Sequence, residues 1–285
     1  MAIRNPVEWS ADQVRQVAGA AEHVGRAVYR DGRAEPRPEV RRIDLGDIRR
    51  ALRLGFDDFR AYRTDVIFIS LVYPVIGLVL GRALLHSSFL PLLFPIAAGF
   101  ALIGPLAAIG LYEMSRRREE GTVVGWTDAF RVVASPAIAA IAVMALILLA
   151  IFAAWVGVAQ ALYALTLGPQ PPASLTAFSA AVLGTPAGWT MIVAGLGIGF
   201  LFALLVLAIS VVSFPMLIDR DVGVGPAIGT SLRACLANPV PMAAWGAIVA
   251  GALLLGSLPA FIGLIVVLPV LGHATWHLYR ALVPR

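Results

Sequence analysis

The stretch PAIAAIAVMALILLAIFAAWVGVAQALYALTL, residues 136–167, decides the fold class of this 285-residue chain. It contains no Asp, Glu, Lys or Arg, and it lies within a run of 87 uncharged residues from Val132 to Ile218. A second uncharged run extends from Ala234 to Tyr279. A water-soluble fold cannot bury such runs, whereas about 20 consecutive apolar residues cross a bilayer as a helix. We therefore expect a polytopic membrane protein, which excludes soluble enzymes, nucleic-acid-binding domains and disordered tails for the chain as a whole.

The composition agrees with this class. Charged residues make up 14% of the chain, against about 25% in a soluble domain. The net charge is +5, and it is attributed to the loop bias of membrane proteins rather than to nucleic acid. The single cysteine, Cys235, permits neither an internal disulfide nor a cysteine-based metal cluster. No secretory signal peptide is expected, so the first apolar segment, from Val66, serves as both targeting signal and anchor.

Six apolar segments are long enough to predict membrane spans. They cover residues 66–85, 90–112, 136–167, 188–218, 240–256 and 259–279. The uncharged loop 168–187 is expected to lie against the outer surface. The predicted fold is all-α, with six transmembrane helices arranged as three hairpins.

An amphipathic cytoplasmic helix is predicted before each hairpin, at residues 44–63, 126–134 and 227–237. In the first of them, Ile48, Leu52, Gly55, Phe56 and Phe59 are expected to share one face, with Arg and Asp opposite, as in an interfacial helix. Residues 1–40 form a separate cytoplasmic region, with an amphipathic helix over residues 10–30 and a Gly/Pro/charge linker over 31–39. Residues 41–285 form the six-span membrane domain.

The arginines predict the orientation of the spans. Every basic residue except Arg82, and every acidic residue, falls before the first span, after an even-numbered span or in the C-terminal tail. By the positive-inside rule, both termini of this multi-pass protein lie in the cytoplasm.

Residues 103–119, IGPLAAIGLYEMSRRRE, together with DLGDIRRALRLGFDDFR at 44–60 and GHATWHLYR at 272–280, resemble a family of uncharacterised bacterial integral membrane proteins. Some members of that family are labelled as a cytochrome c oxidase subunit. The resemblance implies a six-span protein of the bacterial inner (cytoplasmic) membrane and supplies no activity. The chain has only four histidines, too few for the metal ligands of a catalytic haem–copper oxidase subunit.

Glu113, His273 and His277 are the candidate chemical site. His273 and His277 stand at i and i+4 of one helix, a spacing that can present two imidazoles to one ion. Glu113 and His277 each lie eight residues after a span's proline, Pro105 and Pro269, and are expected at similar depth. The three side chains can bind a transition metal or haem, or relay a proton. The alternatives are that the histidines are interface anchors and that Glu113 pairs with Arg116 or Arg117.

Two further sets of residues have predicted roles. Six arginines are expected near the headgroups of anionic phospholipids: Arg49, Arg50, Arg53, Arg116, Arg117 and Arg118. Small residues at four-residue spacing are expected to let helices pack closely: Gly77, Gly81, Gly195, Gly199, Gly246 and Ala250.

The functional prediction is a non-enzymatic accessory, scaffold or assembly component that binds other membrane proteins or itself. It rests on the absence of charge from the centres of the predicted spans and on the many small-residue helix faces. A transporter or lipid-handling protein is the first alternative, favoured by the proline-broken spans and the threefold pattern. A metal- or haem-binding membrane protein is the second. No cofactor and no nucleic-acid partner are otherwise expected.

Overall fold

A computed structural model describes residues 38–62, 67, 70–85, 87–100, 102, 104–122 and 124–285. These residues form α-helices and short 3-10 helices and contain no β-strand, which confirms the all-helical class. The predicted N-terminal helix, residues 10–30, lies outside the described residues. The α-helices are α1 Leu45–Ala61, α2 Val72–Leu84, α3 Leu93–Phe100, α4 Gly104–Ala107, α5 Ile109–Glu119, α6 Ile138–Thr166, α7 Leu175–Gly184, α8 Pro186–Ser210, α9 Ser213–Asp219, α10 Val224–Ala237, α11 Pro239–Ser257 and α12 Leu264–Leu282. The 3-10 helices are Ser87–Leu92 and Trp126–Ala134.

Three helices in the described residues are long and apolar enough to cross a membrane: α6, the continuous pair α8–α9 over Pro186–Asp219, and α11. They correspond to the third, fourth and fifth predicted spans. Proline lies in the first turn of both α8 and α11, where its missing N–H leaves no helical hydrogen bond unmade.

Among the described residues, neither of the first two predicted spans is a single helix long and apolar enough to cross a membrane. Helix α2 has 13 residues, about 20 Å of helix, against the roughly 30 Å of a bilayer core. The second segment is divided into the 3-10 helix Ser87–Leu92, which contains Pro91, and the helices α3, α4 and α5. Proline lacks the N–H that a continuous helix requires.

The sixth predicted span also differs from a plain membrane helix. Helix α12 begins only at Leu264, after a turn in which Ala260 and Phe261 have positive φ angles. Its second half contains two histidines and Arg280, and it is not among the three helices apolar enough to span. The structure therefore supports three candidate spans and several shorter apolar helices, but not the complete arrangement of six spans in three hairpins.

Residues 168–187, the predicted outer loop, contain a helix that was not predicted, α7. Ser174 caps it by accepting a hydrogen bond from the Ala177 N–H at 3.1 Å. The helix is apolar and has no buried residue.

The buried core is concentrated where the charged residues lie. Large side chains with almost no exposure include Phe214, Trp245, Trp276 and Tyr279. These residues stand in α9, in the first half of α11 and in the second half of α12. The packed end of the molecule is thus the end at which the charged side chains are available for ion pairs.

Candidate functional site

Helix α1 brings a carboxylate into the packed end. Asp44 and Asp47 form a capping box that begins the helix, with side-chain to N–H distances of 3.0 and 3.1 Å. The buried residues of α1 are Ile48, Ala51, Gly55, Asp58 and Phe59. The predicted face is therefore wrong in two respects: Asp58 is buried with the apolar side chains, and Phe56 is exposed.

Helix α1 packs directly against α12. A Cβ added to Gly55 would stand 2.5 Å from the Ala274 nitrogen and 2.7 Å from its Cα. Such a close approach requires glycine, since any larger residue would force the helices apart. The backbone contact places Asp58 beside the histidines of α12.

Asp58 forms the centre of a buried hydrogen-bond cluster that joins three helices. Its Oδ2 accepts a hydrogen bond from Ser115 Oγ of α5 at 2.6 Å and lies 2.9 Å from His277 Nε2 of α12. Its Oδ1 pairs with Arg118 Nη1 at 2.6 Å. A buried carboxylate must be compensated in this way, because a charge without partners is very costly inside a protein.

These partners also determine the protonation of Asp58. Burial raises the pKa of its carboxyl, but hydrogen bonds from His277 and Ser115 and the nearby histidines lower it by more. The pKa consequently lies below its ordinary value, and the side chain is a carboxylate at neutral pH.

Ser115 connects this carboxylate to the second histidine. Its Oγ lies 2.8 Å from His273 Nδ1, and His273 is completely buried. Because the single hydroxyl proton is donated to Asp58, the His273 ring donates to Ser115 through Nδ1, and in the neutral ring Nε2 then carries no proton. That Nε2 has no hydrogen-bond partner among the described residues.

The order of these groups differs from that of a serine hydrolase. In a catalytic triad the histidine lies between the serine and the carboxylate and removes the serine proton. Here the serine lies between the carboxylate and the histidine, and its exposed fraction is 1%. The arrangement joins α1, α5 and α12, and it does not prepare Ser115 as a nucleophile.

Glu113 does not join the two histidines. Its carboxylate accepts hydrogen bonds from Arg116 at 2.8 and 2.9 Å and from Arg117 at 2.8 Å, which is the alternative that the sequence left open. No group of three or more His, Cys, Asp or Glu within the described ranges has an arrangement suited to a metal ion. The predicted Glu113–His273–His277 site is therefore not assembled.

A second polar cluster lies beside the first and involves the end of α12. Glu119 accepts hydrogen bonds from Trp276 Nε1 at 3.1 Å and from Arg280 at 3.0 Å. Asp219 accepts them from the Tyr279 hydroxyl at 2.6 Å and from Arg280 at 3.1 Å. These contacts attach α12 to α5 and α9.

The predicted lipid-binding arginines fall into two groups. Arg116, Arg117 and Arg118 are engaged by carboxylates of the chain itself, those of Glu113, Asp128 and Asp58. Arg49, Arg50 and Arg53 are exposed on α1. Only the second group therefore presents its charge freely in the described structure.

The predicted packing residues differ in the contacts that they make. Four of them stand where a Cβ would meet an apolar side chain: Gly77 with Phe261 at 3.1 Å, Gly195 with Leu162 at 3.5 Å, Gly199 with Trp155 at 3.1 Å, and Gly246 with Leu207 at 3.2 Å. Gly81 has no such neighbour among the described residues, and Ala250 is exposed.

Asp58 and Ser115 are the site residues that sequence reasoning missed. Asp58 stands three residues after Gly55 and seven after Ala51, so helical spacing places it on their face. This helical spacing was the feature of the sequence from which the burial of Asp58 could have been predicted. Nothing in the sequence around Ser115 indicates that a histidine more than 150 residues later contacts it.

Comparisons with known proteins agree with the membrane class. Residues 93–219 match a family model described as "Predicted integral membrane protein (DUF2189)". No curated protein and no solved structure matches the chain. The match covers α3 to α9, including two of the candidate spans, and shows similarity to an integral membrane protein family without an assigned activity.

Proposed function

We propose that the protein is a non-enzymatic accessory or scaffold component that contacts other membrane proteins through α8. The observation that carries this proposal is the exposed stripe of α8. Leu196, Phe200 and Leu204 follow one another at four-residue intervals and are 57%, 66% and 49% exposed.

The opposite side of α8 is already occupied. Gly199 lies against Trp155 of α6, and the Phe202 ring lies 5.6 Å from the same tryptophan. Helix α8 therefore has one packed face and one apolar face available to lipid or to a partner helix. Association between membrane helices depends on close van der Waals contact, which a rigidly held helix provides at low entropic cost.

A photocrosslinking experiment tests the partner. A photoreactive phenylalanine analogue replaces Phe200 in one variant and Phe202, on the packed face, in the control. The proposal expects the Phe200 variant, expressed in the native membrane, to give a discrete protein adduct that mass spectrometry identifies. The same partner should be captured from positions 196 and 204 and not from 202. Adducts with lipid alone at all three exposed positions would contradict the proposal.

We also propose the inner (cytoplasmic) membrane of a bacterium as the location, with the charged end in the cytoplasm. The support is the one-sided distribution of arginines, because positive loops remain in the cytoplasm during insertion.

Metal or haem binding remains a prediction with a direct test. The optical spectrum and metal content of the purified protein are measured with and without His277→Ala. A stoichiometric metal or haem that is lost in the variant would establish the site. Its absence from both proteins would remove this alternative.

A further inference from the structure

A cavity of about 300 Å³ opens at the charged ends of two candidate spans. Its charged lining consists of Glu113, Arg116, Arg131, Asp219, Arg220 and Asp221, and the remaining lining residues are mostly apolar. The lining thus combines three arginines, three carboxylates and several apolar groups.

The cavity lies at the ends of two candidate spans, and the ends of spanning helices are where a bilayer has its headgroups. Pro136 and Ala137 directly precede α6, and Ile218 and Asp219 end the α8–α9 span. On the adjoining 3-10 helix, the Arg131 side chain is 64% exposed and Val133 is 68% exposed. A cationic and an apolar side chain exposed side by side are suited to a phospholipid, whose phosphate and acyl chains lie next to each other.

Two of the arginines have guanidinium groups with remaining donors. Arg131 uses Nε for Asp128 at 2.8 Å, which leaves its two terminal nitrogens. Arg220 uses Nη2 for the Pro284 carbonyl oxygen, its Nε lies 3.7 Å from Asp219, and its side chain also hydrogen-bonds the Tyr279 side chain, which leaves some of its five N–H donors. Arg116 is already engaged by Glu113 and Glu120. Arg131 and Arg220 are therefore the phosphate-binding candidates, since guanidinium donors match phosphate geometry.

The carboxylates determine which phosphate ester fits. A purely anionic headgroup would place its charge beside Asp219 and Asp221, which disfavours it. A group that carries a phosphate and a primary ammonium suits both the arginines and the carboxylates of the lining. Its phosphate accepts hydrogen bonds from the arginines, and its ammonium donates hydrogen bonds to the carboxylates. The quaternary ammonium of choline has no N–H to donate.

We infer that this cavity binds the phosphoethanolamine headgroup of a phospholipid. Arg131 and Arg220 bind the phosphate, and the acyl chains pass beside Val133 toward the apolar helices. The ammonium is bound by Asp221 and by Oδ1 of Asp219, since Oδ2 of Asp219 already accepts hydrogen bonds from Tyr279 and Arg280. This inference does not depend on the proposed accessory function.

Native mass spectrometry of the full-length protein in detergent tests the headgroup. The probes are dioleoyl phosphatidylethanolamine, phosphatidylcholine and phosphatidylglycerol. We expect the ethanolamine lipid to be retained about tenfold more strongly than the choline lipid, because one charge-assisted hydrogen bond accounts for about that factor. Equal retention of the ethanolamine and choline lipids, or stronger retention of the glycerol lipid, would overturn the inference.

Charge-specific variants separate binding from folding. Arg131→Gln should weaken retention of the ethanolamine lipid about tenfold, and Asp221→Asn should remove its advantage over the choline lipid. Arg82→Gln is the matched control, because Arg82 is exposed and does not line the cavity. Wild-type retention in Arg131→Gln, or wild-type selectivity in Asp221→Asn, would overturn the inference. Unchanged thermal unfolding without lipid verifies that each variant is folded.

Free phosphoethanolamine distinguishes the source of the headgroup. A lipid site predicts that the soluble compound displaces the lipid only at much higher concentration, since it lacks the acyl contacts. Displacement at equal concentration would overturn the lipid assignment and identify a soluble phosphoethanolamine compound as the ligand.

Discussion

At the scale of single residues, Asp58 has the largest structural consequence. One carboxylate contacts Ser115 of α5 and His277 of α12 through Oδ2, and Arg118 through Oδ1. A buried charge is tolerated only when its partners compensate for lost hydration. The same dependence makes the site sensitive to any change that removes the charge.

We expect Asp58→Asn to destabilise the protein by about 3 kcal/mol, because breaking one side of a buried ion pair leaves the remaining partners uncompensated. Thermal unfolding in detergent measures the effect. Asp57→Asn is the matched control, since Asp57 is the adjacent acid and is exposed. Equal unfolding temperatures for the two variants would contradict the structural role of Asp58.

The lowered pKa of Asp58 predicts the direction of its pH dependence. A carboxyl whose pKa is lower in the folded than in the unfolded state stabilises the fold above its ordinary pKa, which is about 4. Its contribution is lost as the pH falls through the lowered pKa. The unfolding temperatures of wild type and Asp58→Asn should therefore differ at neutral pH and converge in acid. A difference that grows as the pH falls would contradict this assignment.

At the scale of elements, the contact between α1 and α12 organises the packed end. Gly55 allows the two backbones to meet, and the contact positions Asp58 next to His277. The two helices are more than 200 residues apart in sequence, so their contact is a feature of the tertiary structure alone.

Gly55→Ala should loosen this contact although alanine favours helix. The new Cβ would lie 2.5 Å from the Ala274 nitrogen, and overpacking of this kind costs about 1–3 kcal/mol. Gly229→Ala in α10 is the control, because a Cβ there has no described neighbour within 4 Å. The control should be neutral or gain up to about 1 kcal/mol from helix propensity. Chemical unfolding measures the free energy of unfolding of both variants. A gain for Gly55→Ala as well as for Gly229→Ala would contradict the close contact at Gly55.

At the scale of the whole molecule, burial is distributed unevenly. In the apolar stretches of α6, α8–α9 and α11, only 28%, 11% and 22% of the residues are buried. Such surfaces are stable in hydrocarbon and would aggregate in water. Tight packing is thus found mainly at the charged end, and the apolar helices are mostly exposed.

This arrangement predicts a single orientation that cysteine labelling can measure. In a Cys235→Ser background, Ala173→Cys in the outer loop should react with a membrane-impermeant maleimide on intact cells. Asp57→Cys on α1 should react only after the membrane is opened. Both positions are exposed, so a difference reports sidedness; the reverse pattern would refute the orientation predicted from the arginines.

Prediction and structure agree best for the long uncharged segments and less well for the segment that contains several prolines. The predicted span 136–167 corresponds to α6 at Ile138–Thr166, and the predicted segment 240–256 corresponds to α11 at Pro239–Ser257. Long uncharged runs have no alternative to a helix in hydrocarbon, where every backbone group must be paired internally. The prolines of the second segment, by contrast, divide it, and hydropathy alone does not report such breaks.

In the candidate site, the sequence predicted the shared side of the two histidines but not the carboxylate that contacts them. The i, i+4 spacing of His273 and His277 correctly placed both rings toward one side of α12, since both contact the Asp58–Ser115 pair. In the structure Glu113 binds instead to its own neighbours, Arg116 and Arg117, which are one helical turn away. Local ion pairs of this kind form without any tertiary contact.

The sequence by itself determined the membrane class, the helical state and the separation of charged from apolar segments, because hydration cost acts on each segment independently. Only the tertiary structure decided which charges are neutralised, which helix face is buried and which carboxylate meets the histidines. Those outcomes depend on the approach of α1, α5 and α12, three helices whose contact at Gly55 and Asp58 is set by packing across the entire chain.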